Sequence, residues 1–103
     1  SGESPSHQDA YERVASYQIS QENYDDALAT LEQGIAMGDQ GSLRSLLSSE
    51  IAVYERKSDF PTAKAKMESY LESYPDDADA AREYEFLKSR ENILYGMEPS
   101  AQR

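Results

Sequence analysis

Cysteine and tryptophan are absent from this 103-residue chain, histidine occurs once, and basic residues are half as common as acidic ones. Without cysteine there is no disulfide framework, no thiolate nucleophile and no cysteine-ligated zinc. Twenty acidic against ten basic residues give a net charge of −10. This argues against nucleic-acid binding, because phosphate contacts need clustered cations, and equally against an anionic membrane surface.

No apolar run approaches the roughly 20 residues that a membrane-spanning helix needs. The opening Ser-Gly-Glu-Ser-Pro-Ser lacks an initiator Met and a signal-peptide core, so we read it as a cleavage remnant and expect a longer parent protein. Because the absence of cysteine suits oxidising and reducing compartments alike, the localisation stays open. A bacterial protein outside the cytoplasm is our working hypothesis.

Charge is distributed unevenly along the chain. Residues 1–40 contain eight acidic residues and one basic residue, Arg13, whereas residues 41–103 contain twelve acidic and nine basic residues. The first part therefore forms a strongly negative surface. This surface is read either as a solvated helix face or as a docking surface for a basic partner.

Apolar residues recur at helical spacing in five stretches, and none alternates as a half-buried strand would. The first stretch places Tyr11, Val14, Ala15 and Ile19 on one face. The pattern predicts an all-α chain, with residues 1–8 and 96–103 as disordered tails. The predicted helices span residues 9–21, 24–37, 42–57, 60–74 and 77–95, which together form one domain over residues 9–95.

Capping residues, a glycine and two prolines occur where these helices are predicted to begin or end. Asn23, Asp59 and one of Asp76 and Asp77 are predicted N-caps of the second, fourth and fifth helices. Gly38 follows the second helix, where a left-handed glycine belongs. The proline at position 61 suits a first helical turn, and the proline at 75 ends the fourth helix.

The second and fourth helices repeat each other at a distance of 36 residues. An aromatic, an alanine three later and a bulky residue four after that occur twice, as Tyr24-x-x-Ala27-x-x-x-Leu31 and Phe60-x-x-Ala63-x-x-x-Met67. Over about residues 9–90 the chain resembles the tetratricopeptide repeat (TPR) family, and Tyr54 and Pro75 match further positions of the second unit. The first unit departs from the family, since it lacks the Trp and Leu-Gly of the first helix. Other helix-pair repeats remain an alternative.

The resemblance implies a short right-handed α-solenoid without enzymatic activity, whose first helices line a concave, protein-binding groove. The alanine in the second helix of each unit, Ala27 or Ala63, allows the paired helices to approach closely. Gly34 stands at a further position where the family usually has Ala. TPR domains that clamp a C-terminal carboxylate use Lys, Arg and Asn in the groove. Here the matching positions are polar or acidic, which argues against a clamp: Glu12, Ser16, Ser49, Asp79 and Glu83.

The predicted protein-binding residues are small, polar or acidic: Glu12, Ser16, Ser20, Ser45, Ser49, Ala52, Asp79 and Glu83. They favour a basic or neutral peptide or protein segment. The serines fit a second reading as well, in which they let a neighbouring helix pack closely. The alternative function is structural: a segment of a longer solenoid, packed against upstream repeats, or a homodimerisation module.

We predict no catalytic, cofactor or metal site. His7 falls in the predicted tail, so no Ser/His/Asp group can be assembled inside the fold. The acidic clusters at 25–26 and 76–79 are read as helix-terminal charges, and the second lacks the Gly and Glu of a calcium loop. Six tyrosines lie on the apolar faces, whereas Tyr17 and Tyr95 are the predicted exposed ones.

Overall fold

The computed structural model describes residues 7–38 and 40–95, and it describes side chains over residues 10–38 and 41–90. This part of the chain is all-α, as predicted, with five helices and no strand. The helices are α1 (His7–Ser20), α2 (Tyr24–Ala36), α3 (Gln40–Arg56), α4 (Phe60–Ser73) and α5 (Ala78–Tyr95). The predicted tail residues 1–6 and 96–103 lie outside the described residues.

His7 and Gln8 belong to α1, so their assignment to a tail was wrong. The chain divides into two compact units, one ending at Val53 and the other beginning at Tyr54. The organisation of residues 9–95 as one domain stays a prediction.

In the first unit, α1 packs against α2. The fully enclosed side chains of this unit are small or aliphatic, and they occupy the facing sides of the helices: Ala15, Ala27, Leu31, Leu46 and Val53. Val14 departs from the prediction, since it lies 48 % exposed. Tyr11 and Ala15 occupy the covered side of α1, and Val14 lies at the edge of that side, so the apolar spacing overestimates the width of the buried stripe.

In the second unit, α4 packs against α5 through Phe60, Ala63, Met67, Tyr70 and Leu87, all buried. Phe60 also carries a cation–π contact, because the guanidinium carbon of Arg90 lies 4.8 Å from its ring centroid. The same guanidinium lies 5.4 Å from the ring centroid of Phe86, which is itself half exposed. Arg90 thus links α5 to the start of α4.

The connections that follow α1 and α3 have the same backbone geometry, 36 residues apart. Glu22 and Ser58 have φ values of 64° and 62°. The backbone N–H of the next residue, Asn23, donates a hydrogen bond to the carbonyl of Gln18. In the same way the N–H of Asp59 donates to the carbonyl of Tyr54, and the distance is 2.9 Å in both bonds. Such a six-residue bond across a left-handed residue is the Schellman motif that ends a helix.

The predicted helix caps are partly confirmed. Asp59 Oδ1 accepts from the Thr62 N–H at 3.3 Å, and Asp77 Oδ1 accepts from the Ala80 N–H at 3.0 Å. Gly38 has the expected left-handed φ of 78°. Asn23 occupies the N-cap position of α2, but its side chain makes no cap bond, so that prediction was wrong. Its backbone angles nearly match those of Asp59; the difference therefore lies in the side chain, since a carboxylate is the stronger acceptor at a positive helix end.

Gly34 of α2 lies at a close helix approach, as its place in the repeat suggested. A Cβ built on Gly34 would lie 3.0 Å from the Cβ of Tyr11 in α1 and 3.2 Å from Cδ1 of Leu46 in α3. Contacts this short force neighbouring atoms to move. The Tyr11 atom is bonded directly to the backbone, so it moves only if α1 moves.

The left-handed turn predicts a stabilising substitution, Glu22→Gly. A non-glycine residue in this region costs roughly 1–2 kcal/mol, and glycine avoids that cost at an entropic loss of roughly 0.5–1 kcal/mol. We expect the free energy of unfolding to rise by about 0.5–1 kcal/mol in urea denaturation. Glu22→Gln controls for the lost charge and should change stability less. Equal stabilisation by both variants would show that charge, rather than backbone strain, is responsible.

Gly34→Ala tests the close approach. At an exposed helical site, replacing Gly by Ala stabilises by about 1 kcal/mol, and the reverse change Ala29→Gly at an exposed position of α2 calibrates that value. We expect Gly34→Ala to lower the melting temperature, because the new methyl group displaces Tyr11 or Leu46. If Gly34→Ala instead raised the melting temperature by as much as Ala29→Gly lowers it, the close packing of Gly34 would be disproved.

Candidate protein-interaction surface

The predicted surface begins with a contact between α1 and α3. Ser45 Oγ of α3 donates a hydrogen bond to Glu12 Oε2 of α1. Two residues that are 33 positions apart in the chain, both named from the repeat alone, are therefore neighbours. The bond leaves the second carboxylate oxygen of Glu12 available to a ligand, because a carboxylate accepts several hydrogen bonds.

The remaining predicted residues of this unit extend the two helix faces. Ser16 and Ser20 follow Glu12 at successive turns of α1, and both are exposed. Ser20 Oγ donates to the carbonyl of Tyr17 at 2.6 Å, so this hydroxyl already has a local acceptor. On α3, Ser49 and Ala52 follow Ser45 and are half-buried. We call Glu12, Ser16, Ser45 and Ser49 the α1–α3 polar face.

Asp79 and Glu83, the predicted residues of the second unit, have different surroundings. Asp79 is exposed in the first turn of α5 and forms an ion pair with Arg82 one turn later. This pair reduces the negative charge that Asp79 presents to solvent. Glu83 is half-buried in α5, and its carboxyl group contributes to the raised pKa of Glu55, which lies in the last turn of α3.

Glu55 is a residue that sequence reasoning missed. Its pKa is raised from 4.5 to about 7, chiefly by burial, then by the hydrogen bond with Glu83 and by the charge of Glu83. Its Oε2 is enclosed, and no donor in the part of the chain that the structure describes reaches it. A sequence signal existed: Glu55 stands in the last turn of a helix, where the helix dipole disfavours a negative charge.

An open groove of about 500 Å³ lies on the other side of the first unit, between α1 and α2. Its lining residues are uncharged: Ala10, Tyr11, Val14, Thr30 and Gln33. Thr30 Oγ1 donates to Gln18 Oε1 at 2.7 Å, which ties the two helices together beside the groove. Val14 is 48 % exposed, and Tyr17, one turn further along α1, is 66 % exposed, as predicted for Tyr17. We call this the α1–α2 groove.

Of the tyrosines predicted on apolar faces, Tyr70 is buried and the others are half-buried. Two of the hydroxyls bind carboxylates: Tyr70 Oη donates to Asp77 Oδ2 at 2.7 Å, and Tyr84 Oη donates to Glu68 Oε2 at 2.6 Å. The exposure predicted for Tyr95 falls outside the side chains that the structure describes.

Within residues 7–38 and 40–95, no cluster of three or more His, Asp or Glu side chains could hold a metal ion. None of the helices described there is long and apolar enough to cross a membrane. A scan against models of known protein families gave no match, and searches of curated proteins and of solved structures gave none either.

Proposed function

We propose that this chain is a TPR-like protein-interaction domain without catalytic activity, and that it binds a basic or neutral segment of another protein. The observation that carries this proposal is the recurrence of one helix-ending turn after 36 residues, with the same hydrogen bonds and the same left-handed residue. A turn that recurs with its bonds is typical of repeat proteins, which present helix faces to partners.

Burial repeats with the same period. Ala27 and Ala63 are fully enclosed in α2 and α4. Ala15, Ile51 and Leu87, each 36 residues from the next, are buried in α1, α3 and α5. Matched burial in both kinds of helix supports two helix-pair units followed by a further first helix, which is the TPR-like arrangement.

The α1–α3 polar face is the proposed ligand surface. Glu12 is a half-buried residue whose carboxylate accepts a hydrogen bond from Ser45, so its position is restrained before a ligand arrives. A fixed carboxylate binds a Lys or Arg side chain with less entropic loss than a mobile one. The surface contains no cation in the predicted set, which disfavours a C-terminal carboxylate as the ligand.

Peptide selection tests this function. From a random displayed library, the protein should enrich peptides that carry Lys or Arg, and Glu12→Lys should weaken binding of a selected peptide about tenfold, the equivalent of roughly 1.4 kcal/mol. Glu32→Lys on the exposed side of α2 makes the same charge change elsewhere and is the matched control. Fluorescence anisotropy measures both affinities, and circular dichroism verifies that both variants fold.

Two results would contradict the proposal. Enrichment of acidic peptides would contradict the predicted ligand charge. Equal weakening by Glu12→Lys and Glu32→Lys would show that net charge alone governs binding and that the α1–α3 polar face is not the site.

The α1–α2 groove favours a second candidate function, assembly with another copy or with upstream repeats. Val14 and Tyr17 place exposed apolar surface next to an uncharged groove, and such surface marks contact sites when it is contiguous. The net charge of −10 opposes self-association at low salt, because the copies repel each other. Screening shortens the range of that repulsion.

Sedimentation tests this assembly. If the groove joins two copies, the fraction of dimer should rise with protein concentration and with salt, and Val14→Glu should abolish it. Glu22→Gln, an exposed change in the loop after α1, is the control and should leave dimerisation intact. A monomer at all concentrations in high salt would contradict the homodimer.

A further inference from the structure

We propose that the α1–α2 groove of one copy of this chain receives Phe86 and Arg90 of a second copy, so that the copies associate head to tail. This contact rests on the proposed assembly function and adds to it the surface that fills the groove. It is independent of peptide binding at the α1–α3 polar face.

Exposed apolar side chains surround the α1–α2 groove. Val14 lines the groove, Tyr17 lies one turn further along α1, and Met37 lies one turn after the lining residue Gln33 on α2. In the part of the chain that the structure describes, one further large apolar side chain is exposed, Phe86 of α5. The groove and this ring are therefore the two apolar surfaces that a contact between copies would cover.

Phe86 suits the groove in size and in polarity. The groove has a volume of about 500 Å³, and its lining residues are uncharged. A phenylalanine side chain buries roughly 150–250 Å² of surface when it is enclosed, and Phe86 is half exposed in the single chain. Its entry into the groove removes apolar surface of both copies from water, which favours association.

Arg90 supplies an oriented cation next to Phe86. Its guanidinium carbon lies 4.8 Å from the ring centroid of Phe60 and 5.4 Å from that of Phe86. The residues one turn before and after Arg90 are all apolar: Phe86, Leu87, Ile93 and Leu94. Since α5 offers no carboxylate at the spacing of a helical ion pair, this guanidinium is suited to a carboxylate of another molecule.

The groove side offers the matching charge at Asp26. This residue is exposed and lies one turn before Thr30 on the same face of α2. α2 contains no basic residue, so its own helix supplies no cation to Asp26. Together α1 and α2 contain five acidic residues and one basic residue, Arg13. The walls of the groove therefore belong to a negative surface, which attracts a cation such as Arg90.

Residue spacing determines the direction of the docked helix. Phe86 precedes Arg90 by one turn on α5, whereas Asp26 precedes the groove residue Thr30 by one turn on α2. With Phe86 at the level of Thr30, Arg90 reaches Asp26 only if α5 runs antiparallel to α2. The two contact surfaces differ, so each copy retains one unused surface, and association continues beyond the dimer unless one surface is blocked.

Two singly blocked variants test the head-to-tail contact. Val14→Glu places a charge in the groove and leaves α5 unaltered, whereas Phe86→Glu alters α5 and leaves the groove free. Each variant alone should sediment as a monomer. An equimolar mixture should form a 1:1 complex of about twice the monomer mass of 11.6 kDa, because it retains one groove and one α5 surface. Circular dichroism verifies that both variants fold.

The failure of this contact is distinguishable from the failure of assembly. Association of Phe86→Glu by itself, or a monomeric mixture at concentrations where the unaltered chain associates, would overturn the role of Phe86 and leave the assembly function intact. A monomeric unaltered chain at all concentrations would overturn both. Neither result bears on peptide binding at the α1–α3 polar face.

A charge exchange tests the pairing of Arg90 with Asp26. Asp26→Lys and Arg90→Glu should each raise the Kd of association about tenfold. The double variant restores opposite charges, keeps the net charge of −10 and should recover the original Kd. Glu32→Lys, on another face of α2, matches the charge change of Asp26→Lys and should not weaken association. A double variant as weak as the single ones, or no weakening by Asp26→Lys, would overturn the pairing.

Discussion

Both helix reversals after α1 and α3 depend on one residue in the left-handed region, Glu22 in the first case and Ser58 in the second. This conformation lets the next N–H reach back to a carbonyl five residues earlier, so that it satisfies a helix end and turns the chain at once. Glycine would adopt it at less cost. The recurrence of the same turn at two non-glycine residues therefore indicates that the surrounding helix packing enforces it.

Side-chain size limits how close neighbouring helices approach within each unit. Ala27 and Ala63, four residues past the capping positions, are fully enclosed, and an alanine there permits a short interhelical distance. Gly34 extends the close approach further along α2. In the fourth helix the position 36 residues later is Tyr70, whose hydroxyl reaches Asp77 at the start of α5. The turn and the alanine thus recur in α2 and α4, whereas the C-terminal parts of these two helices make different contacts.

The sequence predicts the helices well because their ends depend on local chemistry. Apolar spacing, the proline at 61, Gly38 and the acids at 59 and 77 each act within one turn of the chain. Predictions that depend on tertiary surroundings were less successful. Apolar spacing assigns Val14 to the core, yet α2 covers only the neighbouring side of α1, and Val14 is left exposed.

The candidate surface shows the same division. The resemblance placed Glu12 and Ser45 on one groove-lining face, because a repeat specifies which first-helix positions share a face. The raised pKa of Glu55 had no such basis, since it depends chiefly on burial at the end of α3, which spacing alone does not describe. An acid in a last helical turn is a weak signal by itself. It becomes informative only when the burial of that acid is also known.

The excess of twenty acidic over ten basic residues consequently has no single role in this chain. Asp59 and Asp77 bind backbone N–H groups at helix ends, so their charges act on the fold. Asp79 is paired with Arg82, and burial raises the pKa of Glu55. Glu12 differs from all of these, because a neutral hydroxyl orients it without cancelling its charge. A carboxylate that is oriented but not neutralised suits a basic ligand, and for that reason we propose that a partner's Lys or Arg binds at Glu12 rather than at the more numerous acids elsewhere.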